Sequence, residues 1–125
     1  MAYRIVQNRK NLSTTILFTS NSTLTIAGNN SVSAIAIDDE VVTGASITQV
    51  WCGSPSGASA FWEVKRGSNT VGVYDSTAYI DYAGNGAAMT LDPDATLVVN
   101  LTGATGTLIL ELQKVGQFTS DYLRG

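Results

Sequence analysis

Apolar and polar residues alternate along most of the chain with a period of two, and clusters of Gly, Ser, Asn and Asp separate the alternating runs. That period marks a strand with one buried face, because successive side chains of a strand point to opposite sides. Residues 107–113 show it most plainly: Leu108, Leu110 and Leu112 fall on one face, and Thr107, Glu111 and Gln113 on the other. Residues 95–101 repeat it with Leu97, Val99 and Leu101, and Thr102-Gly103-Ala104-Thr105-Gly106 between the two runs has the composition of a hairpin connection. Residues 58–65 put Ala58, Ala60, Trp62 and Val64 on one face. Further strands are predicted over 14–18, 24–27, 34–37, 46–52, 71–74, 78–82 and 87–91. Gly53-Ser54-Pro55-Ser56-Gly57, Lys65-Arg66-Gly67-Ser68-Asn69 and Ala83-Gly84-Asn85-Gly86 read as turns. Asp92-Pro93-Asp94 reads as a break, since Pro cannot donate to a central ladder.

About ten short strands at this spacing imply an all-β domain, either a sandwich or a barrel. No stretch sustains a helical period, and Gly punctuates the chain too often for long helices. The alternating body spans residues 13–114. Residues 1–12 and 115–125 flank it as N- and C-terminal arms.

Composition narrows the possibilities. At 125 residues the chain has the size of one domain and can bury a core without disulfides or a structural metal. Only 14% of residues are charged, against about 25% in typical soluble domains. Much of the polar surface must therefore be Ser, Thr, Asn and Gly. The net charge of −3 gives no global case for nucleic-acid binding. Charge is nonetheless uneven: Arg4, Arg9 and Lys10 are three of the seven basic residues, and no acid precedes Asp38. This basic arm reads either as a solvated terminus or as a segment that docks on an acidic partner surface. The first residues have no apolar stretch and do not read as a signal peptide, and no apolar run approaches the length of a membrane helix.

The chemistry that the sequence lacks is equally informative. There is no histidine, which removes the common general base, the Ser-His-Asp and Cys-His arrangements and most zinc sites. Cys52 is the single cysteine, and between Trp51 and Gly53 it reads as a small buried hydrophobe. In the segment 53–57, Pro55 stands where a nucleophile elbow needs Ser. No phosphate-binding Gly-rich loop occurs. Glu63, Asp75, Asp81 and Glu111 lie on predicted strands without the spacing of a catalytic pair, and the acidic loops at 38–40 and 92–94 lack the ligand pattern of a calcium loop. The expectation is a non-enzyme with no catalytic residue, cofactor or metal. Adjacent Phe61 and Trp62 must point to opposite faces of their strand, so one of them lies on an outer face, and Phe61 is a candidate contact. In the C-terminal arm, Phe118, Tyr122 and Leu123 are costly to leave wet and are candidates to pack on the domain or on a neighbouring subunit.

One resemblance adds to this reading. The stretch Gln49-Val50-Trp51-Cys52-Gly53-Ser54-Pro55-Ser56-Gly57, followed by Ala60-Phe61-Trp62-Glu63-Val64-Lys65-Arg66-Gly67, resembles a small virion structural protein family of marine tailed phages, cyanophage-like. Val73-Tyr74-Asp75-Ser76-Thr77, Leu110-Glu111-Leu112-Gln113-Lys114 and the opening Tyr3-Arg4-Ile5-Val6-Gln7-Asn8-Arg9 are similar to it too. None of these is a chemical motif. The resemblance implies a single antiparallel β-sandwich, jelly-roll-like, that serves as a capsid decoration or cement protein. Its partners would be the major capsid protein and itself, as a homotrimer on the outer capsid surface of the virion, with neither nucleic acid nor membrane bound. Arg4, Arg9 and Lys10 would then dock on the shell. The alternative is a receptor- or carbohydrate-binding β-domain of a phage fibre or tail.

Overall fold

The alternating runs pair edge to edge into two antiparallel sheets that face each other. The computed structural model describes residues 3–10, 12–29, 32–37, 40–82 and 94–116. Among them the chain forms ten strands and no helix: β1 (Tyr3–Asn8), β2 (Ser13–Phe18), β3 (Ser22–Leu24), β4 (Gly28–Asn29), β5 (Val41–Ser56), β6 (Phe61–Arg66), β7 (Asn69–Tyr74), β8 (Ala78–Asp81), β9 (Leu97–Thr102) and β10 (Thr105–Gly116). The larger sheet runs β1-β2-β10-β5-β4, with β8 also paired to β5, and the smaller runs β3-β9-β6-β7. The length of β5, 16 residues, permits the double pairing: β4 meets Val41 and Val42, and β8 meets residues 49–52. With β1 and β4 set aside, the other eight strands counted in chain order run 1-8-3-6 in one sheet and 2-7-4-5 in the other. That order is a jelly roll, a sandwich of two Greek keys.

The core lies between the sheets and is built by alternation. β2 and β6 each bury every second residue. Ile16 and Phe18 of β2, Leu108, Leu110 and Leu112 of β10, and Ile47, Val50 and Cys52 of β5 point inward from the larger sheet. Leu24, Trp62, Val64, Tyr74, Leu97 and Val99 meet them from the smaller one. Register aligns these residues in rows: Leu110 lies opposite both Ile16 and Val50, and Leu108 opposite both Phe18 and Cys52.

Several predicted elements differ from the observed ones, each for a local reason. Residues 95–101 and 107–113 are strands, but they are not a hairpin, since β9 and β10 lie in different sheets. Gly103, at φ 133°, turns the chain across the sandwich, and a Cβ there would stand 2.7 Å from the Ser56 carbonyl and the Ala60 methyl. Residues 53–56 are not a turn. β5 continues to Ser56, and Pro55 is tolerated because it falls at a register shift between the Thr105 and Thr107 pairings. The turn comes at Gly57 and Ser59, both at positive φ, so β6 begins at Phe61 rather than at residue 58. β5 also starts well before residue 46. Glu111 opposes Gln49 and Leu112 opposes Ile47, so Thr48 is an extra residue, and the bulge shifts the phase of the alternation and hides the N-terminal half of the strand.

Residues 34–37 form no strand. The Ala34 N–H donates to the Thr25 carbonyl and the Ile35 N–H to Ser33 Oγ, and the Ile35 carbonyl accepts from Asn8 Nδ2, so this backbone is satisfied outside a ladder while Ile35 is fully buried. Of the predicted strand at 24–27, only Leu24 is in β3. Within the N-terminal arm, Tyr3–Asn8 is the edge strand of the larger sheet, and Tyr3 packs on Phe18 with ring centroids 6.2 Å apart. The predicted strand at 87–91, the turn at 83–86 and residues 117–125 lie outside the described residues.

Buried charges close the sandwich at two places. Arg66, expected in a turn, is the inward-pointing last residue of β6, 1% exposed. Its guanidinium donates to the Ala45 carbonyl on β5 at 2.7 Å and to the Ala95 carbonyl ahead of β9, bridging the sheets. Near the end of β10, Lys114 Nζ meets Glu40 Oε1 at 2.8 Å with both side chains fully buried, and the same oxygen accepts the Ile37 N–H. This pair fastens the entry of β5 to β10. Lys114→Met leaves the carboxylate buried without its cation and is expected to cost about 3–5 kcal/mol in urea unfolding. Adding Glu40→Gln, which keeps an acceptor for Ile37, should recover most of that loss.

Candidate binding surface

The outer face of the larger sheet departs from the polar surface expected of a solvated strand face. Register places Arg4, Leu17, Ile109, Trp51 and Tyr79 in one transverse row across β1, β2, β10, β5 and β8. Each alternates with core neighbours, so each points outward; Leu17, Ile109 and Trp51 are half-buried and Tyr79 is 54% exposed. The row ends in an aromatic stack, with the Trp51 and Tyr79 ring centroids 5.2 Å apart and their planes 28° from parallel. The next row on the same face is polar: Gln7, Thr15, Glu111, Gln49 and Asp81. Below it lies an open cavity of about 260 Å³ lined by Arg9, Leu12, Ser13, Thr48, Glu111 and Gln113. There the bulge residue Thr48 sets its hydroxyl 2.9 Å from Glu111 Oε1 and 3.1 Å from the Glu111 carbonyl.

The cations expected to bind a partner sit on the hairpin at one edge of this face. Arg4 stands outward on β1, and Arg9 and Lys10 are exposed in the turn to β2. The Arg9 N–H donates to the Ser13 carbonyl and the Leu12 N–H to the Arg9 carbonyl, which holds the turn closed. None of the three takes part in an ion pair with a described residue. Tyr3 and Ile5 pack inward against the core, so the hairpin is fixed to the body. Phe61 is half-buried on the outer face of the smaller sheet, opposite Thr102, and its neighbour Trp62 is fully buried in the core. The structure therefore puts Phe61 on the opposite side of the sandwich from the cations. Phe118, Tyr122 and Leu123 lie outside the described residues.

Trp51 and Tyr79 were not singled out by the sequence as a pair, because their contact depends on the β5–β8 register. One signal for the indole was present: Val50 and Cys52 are core, so Trp51 between them faces outward. The carboxylates Asp81 and Glu111 share the polar row with Gln49 between them, which separates their Cα atoms by about 10 Å at ordinary strand spacing. The cavity takes in Glu111 but not Asp81, so the two do not share an enclosed site. No cluster of three or more His, Cys, Asp or Glu that could hold a metal occurs among the described residues. Cys52 is buried, its thiol pushed up by burial and then by the nearby Asp75 charge. Tyr74 is raised well above the usual phenol range by burial and by the Tyr82 hydroxyl 3.1 Å away.

No protein-family model, curated protein or solved structure matches the chain.

The two tryptophans give separable predictions. Tyr79→Ala should shift the emission of Trp51 while costing only about 0.5–1.5 kcal/mol, the value of a ring pair. Trp62→Ala, which empties a fully buried site, should cost about 3–5 kcal/mol in the same denaturation experiment.

Proposed function

We propose that the protein is a structural component of a virion, a decoration or cement protein that binds the major capsid protein on the outer shell and stabilises it as a homotrimer. The observation that carries this reading is the exposed hairpin β1–β2, where Arg4, Arg9 and Lys10 project without an ion pair to any described residue, from a chain whose first acid is Asp38. Tyr3 and Ile5 anchor that hairpin to the core, so its charges are presented at low entropic cost. The likeness of the sequence to small virion proteins of marine tailed phages supports the same reading. A domain that binds only the assembled shell favours the shell by mass action, and repeated contacts over a lattice add avidity. Such a role needs a rigid body and a complementary surface and makes no demand for catalytic side chains.

Deleting residues 1–12 is not a clean test, because it would strip Tyr3 and Ile5 from the core along with the charges. The triple change Arg4→Glu, Arg9→Glu, Lys10→Glu reverses the charge of exposed groups and leaves that packing in place. It should abolish co-sedimentation with empty capsids while the unfolding curve stays within about 1 kcal/mol of the parent. Binding by the parent should also weaken as salt rises. Unchanged binding of the triple variant would refute docking through the hairpin, and a solution mass other than three chains would refute the trimer.

The alternative, a receptor- or carbohydrate-binding domain of a fibre or tail, has one observation in its favour, the exposed Trp51–Tyr79 stack. It places the contact on the sheet face instead of on the hairpin.

A further inference from the structure

The apolar row on the outer face of the larger sheet is one residue deep. Gly53 and Thr107 lie exposed on one side of it, and Gln49, Glu111 and Asp81 on the other. Its apolar members, Leu17, Ile109, Trp51 and Tyr79, cross four strands, a length of about 14 Å between the outermost Cα atoms at ordinary strand spacing. A strip this narrow suits a protein partner poorly, because standard interfaces bury about 800 Å² per side around a broad apolar centre. It does match a ligand that is itself amphipathic across a few ångströms, with C–H groups on one face and hydroxyls at the rim.

We propose that this face is a saccharide-binding site that takes a short neutral oligosaccharide, with Tyr79 and Trp51 as its stacking platform and Asp81, Gln49 and Glu111 as its hydroxyl-binding rim. The stack turns one face of the Tyr79 ring to Trp51 and leaves the other for a ligand, on a strand that among the described residues pairs with β5 alone. The negative π face of an aromatic ring attracts the polarised C–H groups of a pyranose. Asp81 follows Tyr79 by two residues on the same face and lies in the row of Gln49 and Glu111, where carboxylate and amide groups can accept and donate to sugar hydroxyls. Two carboxylates in the rim repel uronic or sialic acids, so the selectivity is for neutral sugars. Arg4, the cation in register with this row, stands beyond its far end from Tyr79. Gly53 keeps the flank of Trp51 open: it is two residues on, on the same face, and bears no side chain. The site does not rest on capsid binding, since a domain held to a shell by its hairpin can present this face as readily as one carried on a fibre.

The test is a panel of immobilised neutral and acidic oligosaccharides probed with the full chain, followed by tryptophan fluorescence titration with any that bind. Trp62 is fully buried and Trp51 is not, so a ligand-induced change reports on Trp51. The proposal requires binding of at least one neutral oligosaccharide and a loss of at least tenfold in affinity for the immobilised sugar in Tyr79→Ala and Trp51→Ala. Gly53→Gln is the second variant. A Cβ there meets nothing closer than the Thr107 carbonyl at 3.8 Å, so the fold accommodates it while the longer side chain fills the flank of Trp51; it should weaken binding as strongly as the alanine variants. Binding confined to acidic sugars, binding that survives loss of both aromatics, or no binding at millimolar sugar would each overturn the assignment. Self-association of the free protein that Tyr79→Ala abolishes would also overturn it and would identify a second copy as the occupant.

Discussion

The larger sheet depends on the placement of β10 between β2 and β5. The last described strand enters the middle of the sheet, so among the described residues β1 and β2 join the rest of it only through β10, and β4 and β8 only through β5. Residues from the start, middle and end of the chain are thus hydrogen-bonded side by side: Leu17, Ile109 and Trp51 are direct cross-strand neighbours. The sheet cannot be completed until β10 exists, and its loop-closure entropy must be met before the long-range contacts form. What offsets it is the width of the contact, since β10 buries Leu108, Leu110 and Leu112 and ends in the Lys114–Glu40 pair.

The same ladder creates the proposed binding surface. Inward residues of β10 hold the sandwich together, and its outward Ile109 and Glu111 connect the hairpin edge of the outer face to the aromatic edge. The Thr48 bulge sits where these demands meet. It shifts the phase of β5, so that Ile47 and Thr48 are both buried, and it brings the Thr48 hydroxyl against Glu111 at the cavity rim. Arg66 fixes the second sheet from inside, since its donors reach carbonyls at Ala45 and Ala95. With both sheets locked, the exposed groups on the hairpin and the outer face are held on a body that has little need to reorganise on binding.

Period-two alternation made the all-β class and most strand positions legible, because burial of one face is a local property of each strand. It failed where the phase of a strand changes or where the backbone finds other partners. The bulge at Thr48 concealed the first half of β5, and the shift at Pro55 allowed a Pro-containing segment to stay in a strand. Residues 34–37 are apolar enough for a strand, yet Ser33, Asn8 and Thr25 take their hydrogen bonds. The 102–106 connection has hairpin composition, but composition cannot say that Gly103 carries the chain into the other sheet. Arg4, Arg9 and Lys10 were legible as a charge cluster. The Trp51–Tyr79 stack was not, because it exists only through the register of two strands far apart in sequence.

An electron-microscopy reconstruction of an intact particle that contains the protein tests the central claim most directly. The account predicts sandwich-shaped density at regular sites on the outer capsid shell, in threefold clusters, with the β1–β2 hairpin turned toward the capsid protein. Density for the sandwich only on a tail or fibre, or none on the shell, would contradict it.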